Sequence, residues 1–237
     1  VYEEPKTQSN VKPDAPVILE AKNLASPQVK DVSFELRKGE ILGFAGLMGA
    51  GRTEVARLIF GADPMSGGEV IVKGKPVRIK TPQDAVNSGI GYLSEDRKRY
   101  GLAVGLSVVE NTTLACVENF TKGGLLQKKK EAASTEEYVQ KLSIKTPSIN
   151  QLLRFLSGGN QQKVVIAKWL LQNSDVLIFD APTRGIDGGA KSEIYKLMNH
   201  LVDEGQSIIM ISSALPDLLR MSDRIVVMCE GRKTGEL

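Results

Sequence analysis

Short apolar runs alternate with amphipathic stretches along most of the chain, and their periods predict the elements. Val17 to Ala21 and Val32 to Leu36 read as strands, the second alternating Val32, Phe34 and Leu36 at period two. Ile41 to Ala45 is a continuous apolar run, the mark of a buried strand, and the stretch beyond its glycine loop is helical through Ile59. Glu69 to Ile79 folds back as a hairpin around Lys73-Gly74-Lys75, and Gly89 to Leu93 is a further buried strand. From Ser107 to Leu142 strand signals fade, and within Thr135 to Leu142 helical spacing puts Tyr138, Val139 and Leu142 on one face. Lys163 to Leu171 is a helix with Val165, Ile166, Trp169 and Leu170 as its apolar stripe, so Trp169 is a core anchor. Val176 to Asp180, Ser207 to Ile211 and Arg224 to Met228 are apolar strands, separated by helices at Asp187 to Glu204 and Pro216 to Met221. Glu230-Gly231-Arg232 is the turn after the last of them. Helix and strand alternate with no internal repeat, which implies an α/β fold with a mostly parallel sheet covered on both faces. The helical block reads as an insertion between two halves of that core.

Composition changes this picture little. The 237 residues are long enough to bury a sizeable core, and a net charge of +3 from 31 basic and 28 acidic residues describes a mixed surface. Such a balance gives nucleic-acid binding little support. Cys116 and Cys229 lie far apart with no CxxC or Cys/His cluster, so neither a disulfide framework nor a zinc site is expected. That cysteine usage makes a reduced cytoplasmic setting the expectation. No apolar run approaches the roughly 20 residues a spanning helix needs and no signal peptide opens the chain, so work at a membrane would mean docking from outside the bilayer. Val1 to Pro16, broken by Pro5, Pro13 and Pro16, reads as a linker and hints that something precedes it.

Three stretches carry candidate chemistry. Gly46-Leu47-Met48-Gly49-Ala50-Gly51-Arg52-Thr53 joins a buried strand to a helix, where unpaired N–H groups and the positive helix end suit a phosphate. Against G-x-x-x-x-G-K-[ST], Gly46, Gly51 and Thr53 fit, and Arg52 replaces the lysine with a planar fork of altered geometry. Leu156 to Gln162 puts Ser157, Gly158 and Gly159 at the start of another helix, a second phosphate-friendly end. Asp180 closes a buried strand, as suits a Mg²⁺ ion. The run Ser94 to Arg99 and the triplet Lys128-Lys129-Lys130 have a bland reading as solvated surface, and the lone His200 is structural.

A phosphate loop, a helical insertion, L-S-G-G-x-Q and then an apolar strand ending in Asp is an order that resembles ABC-transporter ATPase domains, over about Val17 to Leu237. More narrowly, Gly46 to Glu54, Ser94 to Arg99 and Pro182 to Asp187 resemble the second ATPase half of tandem monosaccharide importers of the ribose, xylose and galactose type. The resemblance implies a P-loop NTPase core with a small antiparallel β subdomain and a helical subdomain at about residues 96–162. It implies ATP and Mg²⁺ as cofactors: Gly46, Leu47, Met48, Gly49, Ala50, Gly51, Arg52, Thr53 and Glu54 for ATP, with Thr53, Asp180 and Glu95 on the metal side. Leu156, Ser157, Gly158, Gly159, Asn160, Gln161 and Gln162 match the signature that caps a γ-phosphate bound on the opposite half, and Asp187 matches the loop crossing that interface. The implied partners are a first ATPase half of the same or another subunit, met head to tail, transmembrane permease subunits and, indirectly, an extracytoplasmic sugar-binding protein. Nucleic acid is not among them, and the implied location is peripheral, on the cytoplasmic face of the cell membrane.

Departures from the pattern matter as much. Ala181 stands where a glutamate normally polarises the attacking water, Ser213 where a histidine is usual, and Glu95 at a glutamine position. No aromatic falls between Leu24 and Val32, where adenine usually stacks. The expectation is an ATPase domain coupled to monosaccharide import whose own site is degenerate and whose hydrolysis is weak, but whose signature completes a partner's site. The alternative is a catalytically silent nucleotide-binding regulatory module.

Overall fold

The structure is a computed structural model describing residues 6, 9 and 11–237. Of the expected linker, residues 1–5, 7, 8 and 10 lie outside the described residues, while Lys6 pairs with the Asp223 carboxylate at 2.7 Å. The chain divides into a sheet unit, made of the described residues up to Tyr92 with Asp175–Pro182 and Met198–Leu237, and a helical unit, Leu93–Ser174 with Thr183–Leu197.

The chain enters the sheet unit through β1 (Val17–Ala25) and β2 (Val32–Arg37), an antiparallel pair, and continues into β3 (Ile41–Ala45), buried throughout. Beyond the glycine loop, α1 (Arg52–Ile59) buries Val55, Ala56, Leu58 and Ile59. The hairpin around Lys73-Gly74 is present as β4 (Gly67–Val72) and β5 (Lys75–Val77), and β4 also pairs with β1. The result is a small antiparallel sheet in the order β2-β1-β4-β5. A short helix, α2 (Pro82–Asn87), follows, its start fixed by a reciprocal Thr81–Asp84 capping box. β6 (Ile90–Leu93) is fully buried.

In the helical unit a π-helical turn at Arg97–Gly101 leads to α3 (Val108–Thr113), capped by Ser107 and Glu110. A minimal hairpin, β7 (Thr121–Lys122) with β8 (Leu125–Leu126), and α4 (Lys128–Lys141) follow. Lys128, Lys129 and Lys130 are exposed, as expected, but the fully buried residues of α4 are Glu131 and Thr135, with Tyr138 and Val139 half-buried on the same face. The Glu131 carboxylate is satisfied there by the Thr113 hydroxyl at 2.5 Å. α5 (Gly158–Leu171) is buried continuously from Gln161 to Leu170, including Lys163 and Lys168, so the four-residue apolar stripe understates its burial. The helix has no solvent face over those turns and hence no amphipathic period to read.

The remaining elements are β9 (Val176–Asp180), α6 (Gly188–Asp203), β10 (Ser207–Ile211), α7 (Leu215–Met221), β11 (Arg224–Cys229) and β12 (Arg232–Glu236). They complete a six-stranded sheet in the order β12-β11-β3-β10-β9-β6. Within it β9, β10, β3 and β11 are parallel neighbours, and β12 returns antiparallel where only a turn was expected. The loops leaving the C-terminal ends of adjacent β3, β10 and β9 therefore emerge side by side, the position where open parallel sheets bind ligands. Among the described residues no helix is long and apolar enough to cross a membrane.

Candidate functional site

Those three loops bring one set of candidates together in the sheet unit. The loop after β3 turns on Gly51, the N-cap of α1, at φ 97°, and a Cβ there would come within 2.9 Å of the Gly231 Cα. Only glycine meets both demands without strain. The Gly231 N–H ties the loop down by donating to the Ala50 carbonyl at 2.9 Å, and the Ala50 N–H closes the tip onto Leu47 at 3.0 Å. Leu47 and Met48 are left 86% and 98% exposed, a poor use of apolar residues unless something covers them. Glu54 sits in the first turn of α1, whose leading N–H groups have no intrahelical acceptors.

Asp180, at the end of β9, is buried, and its two carboxylate oxygens are held separately. The Thr53 hydroxyl lies 3.2 Å from one and the Tyr92 hydroxyl donates to the other at 2.8 Å. A hydroxyl and a carboxylate are hard oxygen donors, which fit Mg²⁺. Among the described residues no cluster of three or more His, Cys, Asp or Glu exists. Such a minimal set suits an ion held by few protein oxygens together with phosphates. The Arg52 guanidinium donates to the Ser212 carbonyl, in the loop after β10, at 2.5 Å, next to Ser213. Ala181 follows Asp180 in the left-handed region at φ 48°, its N–H donating to Ile211 at 2.9 Å. His200 is exposed on α6, 3.4 Å from Glu204.

The second set lies in the helical unit. Ser157 is the N-cap of α5: its hydroxyl oxygen accepts from the Asn160 backbone N–H at 3.4 Å and from the Asn160 side-chain amide at 2.9 Å. Both contacts use lone pairs, so the hydroxyl keeps a proton to donate. The residue is exposed, whereas Leu156, Gly159, Gln161 and Gln162 are buried. Gly159 is required by packing inside the chain, since a Cβ there would lie 2.8 Å from the Ala190 Cβ. Asp187 is exposed and accepts from the Ala190 N–H at 3.0 Å, capping α6. Glu95 belongs to this unit, where it pairs with the Arg184 guanidinium.

The structure thus groups Gly46 to Glu54 with Asp180, Ala181 and Ser213, and Leu156 to Gln162 with Asp187 and Glu95. Tyr92 gave no sequence signal, reading as one more core residue of a buried strand, and nothing singled out Arg97 from the other charges of the run Ser94 to Arg99.

Comparison with known proteins bears on this arrangement. Residues 29–184 match the family described as ABC transporter. A Burkholderia ambifaria protein named for ribose/galactose/methyl galactoside import ATP binding is 61% identical over 223 residues, 93% of this chain and 44% of that protein. The ribose import ATP-binding protein RbsA of Clostridium perfringens is 56% identical over 92% of this chain, again 44% of that protein. The chain therefore spans less than half the length of these curated relatives. Among solved structures it is similar to a nucleotide-free ATP-binding cassette from an ABC transporter, with a TM-score of 0.79, 22% identity and coverage of 93% and 91% of the two chains. A dimeric ATP-binding cassette in a post-hydrolysis state, bound to ADP and phosphate, gives 0.77 at 20% identity, covering 93% and 98%.

Proposed function

The chain belongs to the ABC transporter family, and on that premise we propose that it is the second ATP-binding half of a monosaccharide importer. Its loop Gly46 to Glu54 binds ATP through backbone N–H groups and the first turn of α1. Thr53 and Asp180 would hold Mg²⁺, which would supply positive charge to the bound phosphates. The Tyr92 hydroxyl keeps the Asp180 carboxylate turned toward Thr53. At this site the chain binds nucleotide and hydrolyses it poorly: the Ala181 methyl group accepts no proton, and a missing general base costs about 10²–10⁴-fold.

The observation that carries the reading is the contrast between the two sets. Asp180 keeps a buried, doubly held carboxylate beside a residue with no base, while Ser157 is capped, exposed and able to donate. The signature Leu156 to Gln162 and Asp187 then serve a nucleotide held on a partner half carrying an intact G-x-x-x-x-G-K-[ST] loop, met head to tail. Relatives named for ribose and galactose import support the sugar assignment. Permease subunits, an extracytoplasmic sugar-binding protein acting through them, and a peripheral place on the cytoplasmic membrane face follow from it.

Arg52 favours a second reading, a silent nucleotide-binding module, because its guanidinium is engaged by the Ser212 carbonyl. One experiment separates the two. Calorimetric titration should give Mg²⁺-dependent ATP binding lost in Asp180→Asn, with hydrolysis near background that rises at least tenfold in Ala181→Glu. Binding without any gain in Ala181→Glu supports the silent module; absence of ATP binding defeats both.

A further inference from the structure

The charged run Glu95 to Arg97 is built into the helical unit in a way its sequence does not announce. Arg97 leaves the start of the π-helical turn half-buried, and its Nη1 donates to the Arg184 carbonyl at 2.8 Å. Its Nε and Nη2 reach the Gln161 Oε1 and the Gly185 carbonyl at a longer 3.5 Å. The close contact anchors the guanidinium, and the two long ones, at the outer limit of hydrogen-bond distance, are weaker. Glu95 pairs with the Arg184 side chain, so that one residue is held through its backbone by Arg97 and through its guanidinium by Glu95. Gln161 passes the constraint on: its side-chain amide donates to the carbonyls of Leu153 and Leu156 at 3.2 and 3.1 Å, the latter just before Ser157. Gly158 is part of the same fit, since a Cβ there would lie 2.7 Å from the Arg97 Nη2 and 3.0 Å from the Gly185 carbonyl.

The three acceptors are met by three different nitrogens of one planar fork, and a lysine ammonium, with its donors gathered on a single nitrogen, has no such spread. The acceptors belong to two segments far apart in sequence: the start of α5, which presents Ser157, and the turn Arg184–Gly185, which leads into Asp187. We propose that Arg97 is a positioning residue that locks these two segments together, setting the spacing at which Ser157 and Asp187 meet a nucleotide held by the partner half. The inference rests on the trans-acting signature proposed above. It gives the Glu95-Asp96-Arg97 run a task distinct from metal binding. Near-attack geometry tolerates little looseness, and a displacement of about 1 Å costs about 10²-fold in rate.

The test uses Arg97→Gln and Arg97→Lys. Amide hydrogen exchange of peptides covering residues 157–162 and 183–190 reads the lock in the chain by itself. The turnover of a 1:1 mixture with an ATPase half carrying the intact loop and a glutamate base reads its consequence. Ser157→Arg in the same mixture is the control. Both variants should exchange at least tenfold faster in the two peptides, with little change in the urea midpoint. They should lower kcat at least tenfold and leave KM for ATP unchanged, because the partner's loop binds that ATP. Unchanged exchange overturns the inference whatever the turnover does. Unchanged turnover in a mixture that Ser157→Arg inactivates overturns the positioning role and leaves the trans reading standing. A mixture indifferent to Ser157→Arg defeats the trans reading and this inference with it.

Discussion

Lys168 makes the stability of the helical unit depend on pH in a direction that can be fixed in advance. Its side chain lies on α5, 7% exposed, with the ammonium donating to the Gly101 carbonyl at 2.7 Å and 4.7 Å from the Trp169 ring centre. Burial pulls its pKa from the ordinary 10.5 down to about 8. Between those values the unfolded chain holds a proton that the folded chain has released, so stability rises with pH across that window. Below it both states are charged and the folded one bears the full desolvation cost. From pH 7 to pH 9 the gain is about 1 kcal/mol, the slope being capped at about 1.4 kcal/mol per pH unit. Cys116 acts in the opposite sense: burial raises its thiol from 9.0 to about 11, so the unfolded thiol ionises first and stability falls across that range. Comparison with Lys168→Met cancels that contribution. Urea unfolding followed by the fluorescence of Trp169, the chain's one tryptophan, reports on the helix that carries both residues. The wild-type chain should gain about 1 kcal/mol over the variant between pH 7 and pH 9. Identical pH dependence in the two proteins would refute the reasoning.

Two further substitutions probe the candidate site through packing and hydrogen bonding. Gly159→Ala drives a methyl to within 2.8 Å of the Ala190 Cβ and should cost about 1–3 kcal/mol in urea unfolding, with Ala190→Gly in the same chain restoring most of it. Tyr92→Phe removes a donor from the buried Asp180 carboxylate and should cost about 1–3 kcal/mol without Mg²⁺, read as a lower Tm; an unchanged Tm would mean that the contact contributes nothing.

The parallel core was legible because fully buried strands are continuous apolar runs with polar ends. Ile41–Ala45, Val176–Asp180 and Ser207–Ile211 have the bounds their sequences suggest. Elements that bury little escaped. β12 is the polar run Arg-Lys-Thr-Gly-Glu, and the two-residue strands β7 and β8 are too short to carry a period. The local pieces of the candidate site were also visible, since glycine spacing and a strand-terminal acid are properties of neighbouring residues. Their partners were not. Tyr92 meets Asp180 across 88 positions, and Arg97 meets Arg184 across 87. Sheet pairing and helix docking create such contacts, and no spacing rule encodes them. Arg52 is the sharpest case: the motif says where it starts, and only the fold says that it meets the Ser212 carbonyl.

The central claim is that the signature of this chain acts on a nucleotide bound elsewhere, and trans-complementation tests it most directly. ATP turnover is measured for this chain, for the partner ATPase half and for their mixture, each with wild-type Ser157 and with Ser157→Arg. The account predicts turnover in the mixture well above the sum of the separate chains, abolished by Ser157→Arg while ATP binding to the loop Gly46 to Glu54 persists. Stimulated turnover that Ser157→Arg leaves unchanged would contradict it.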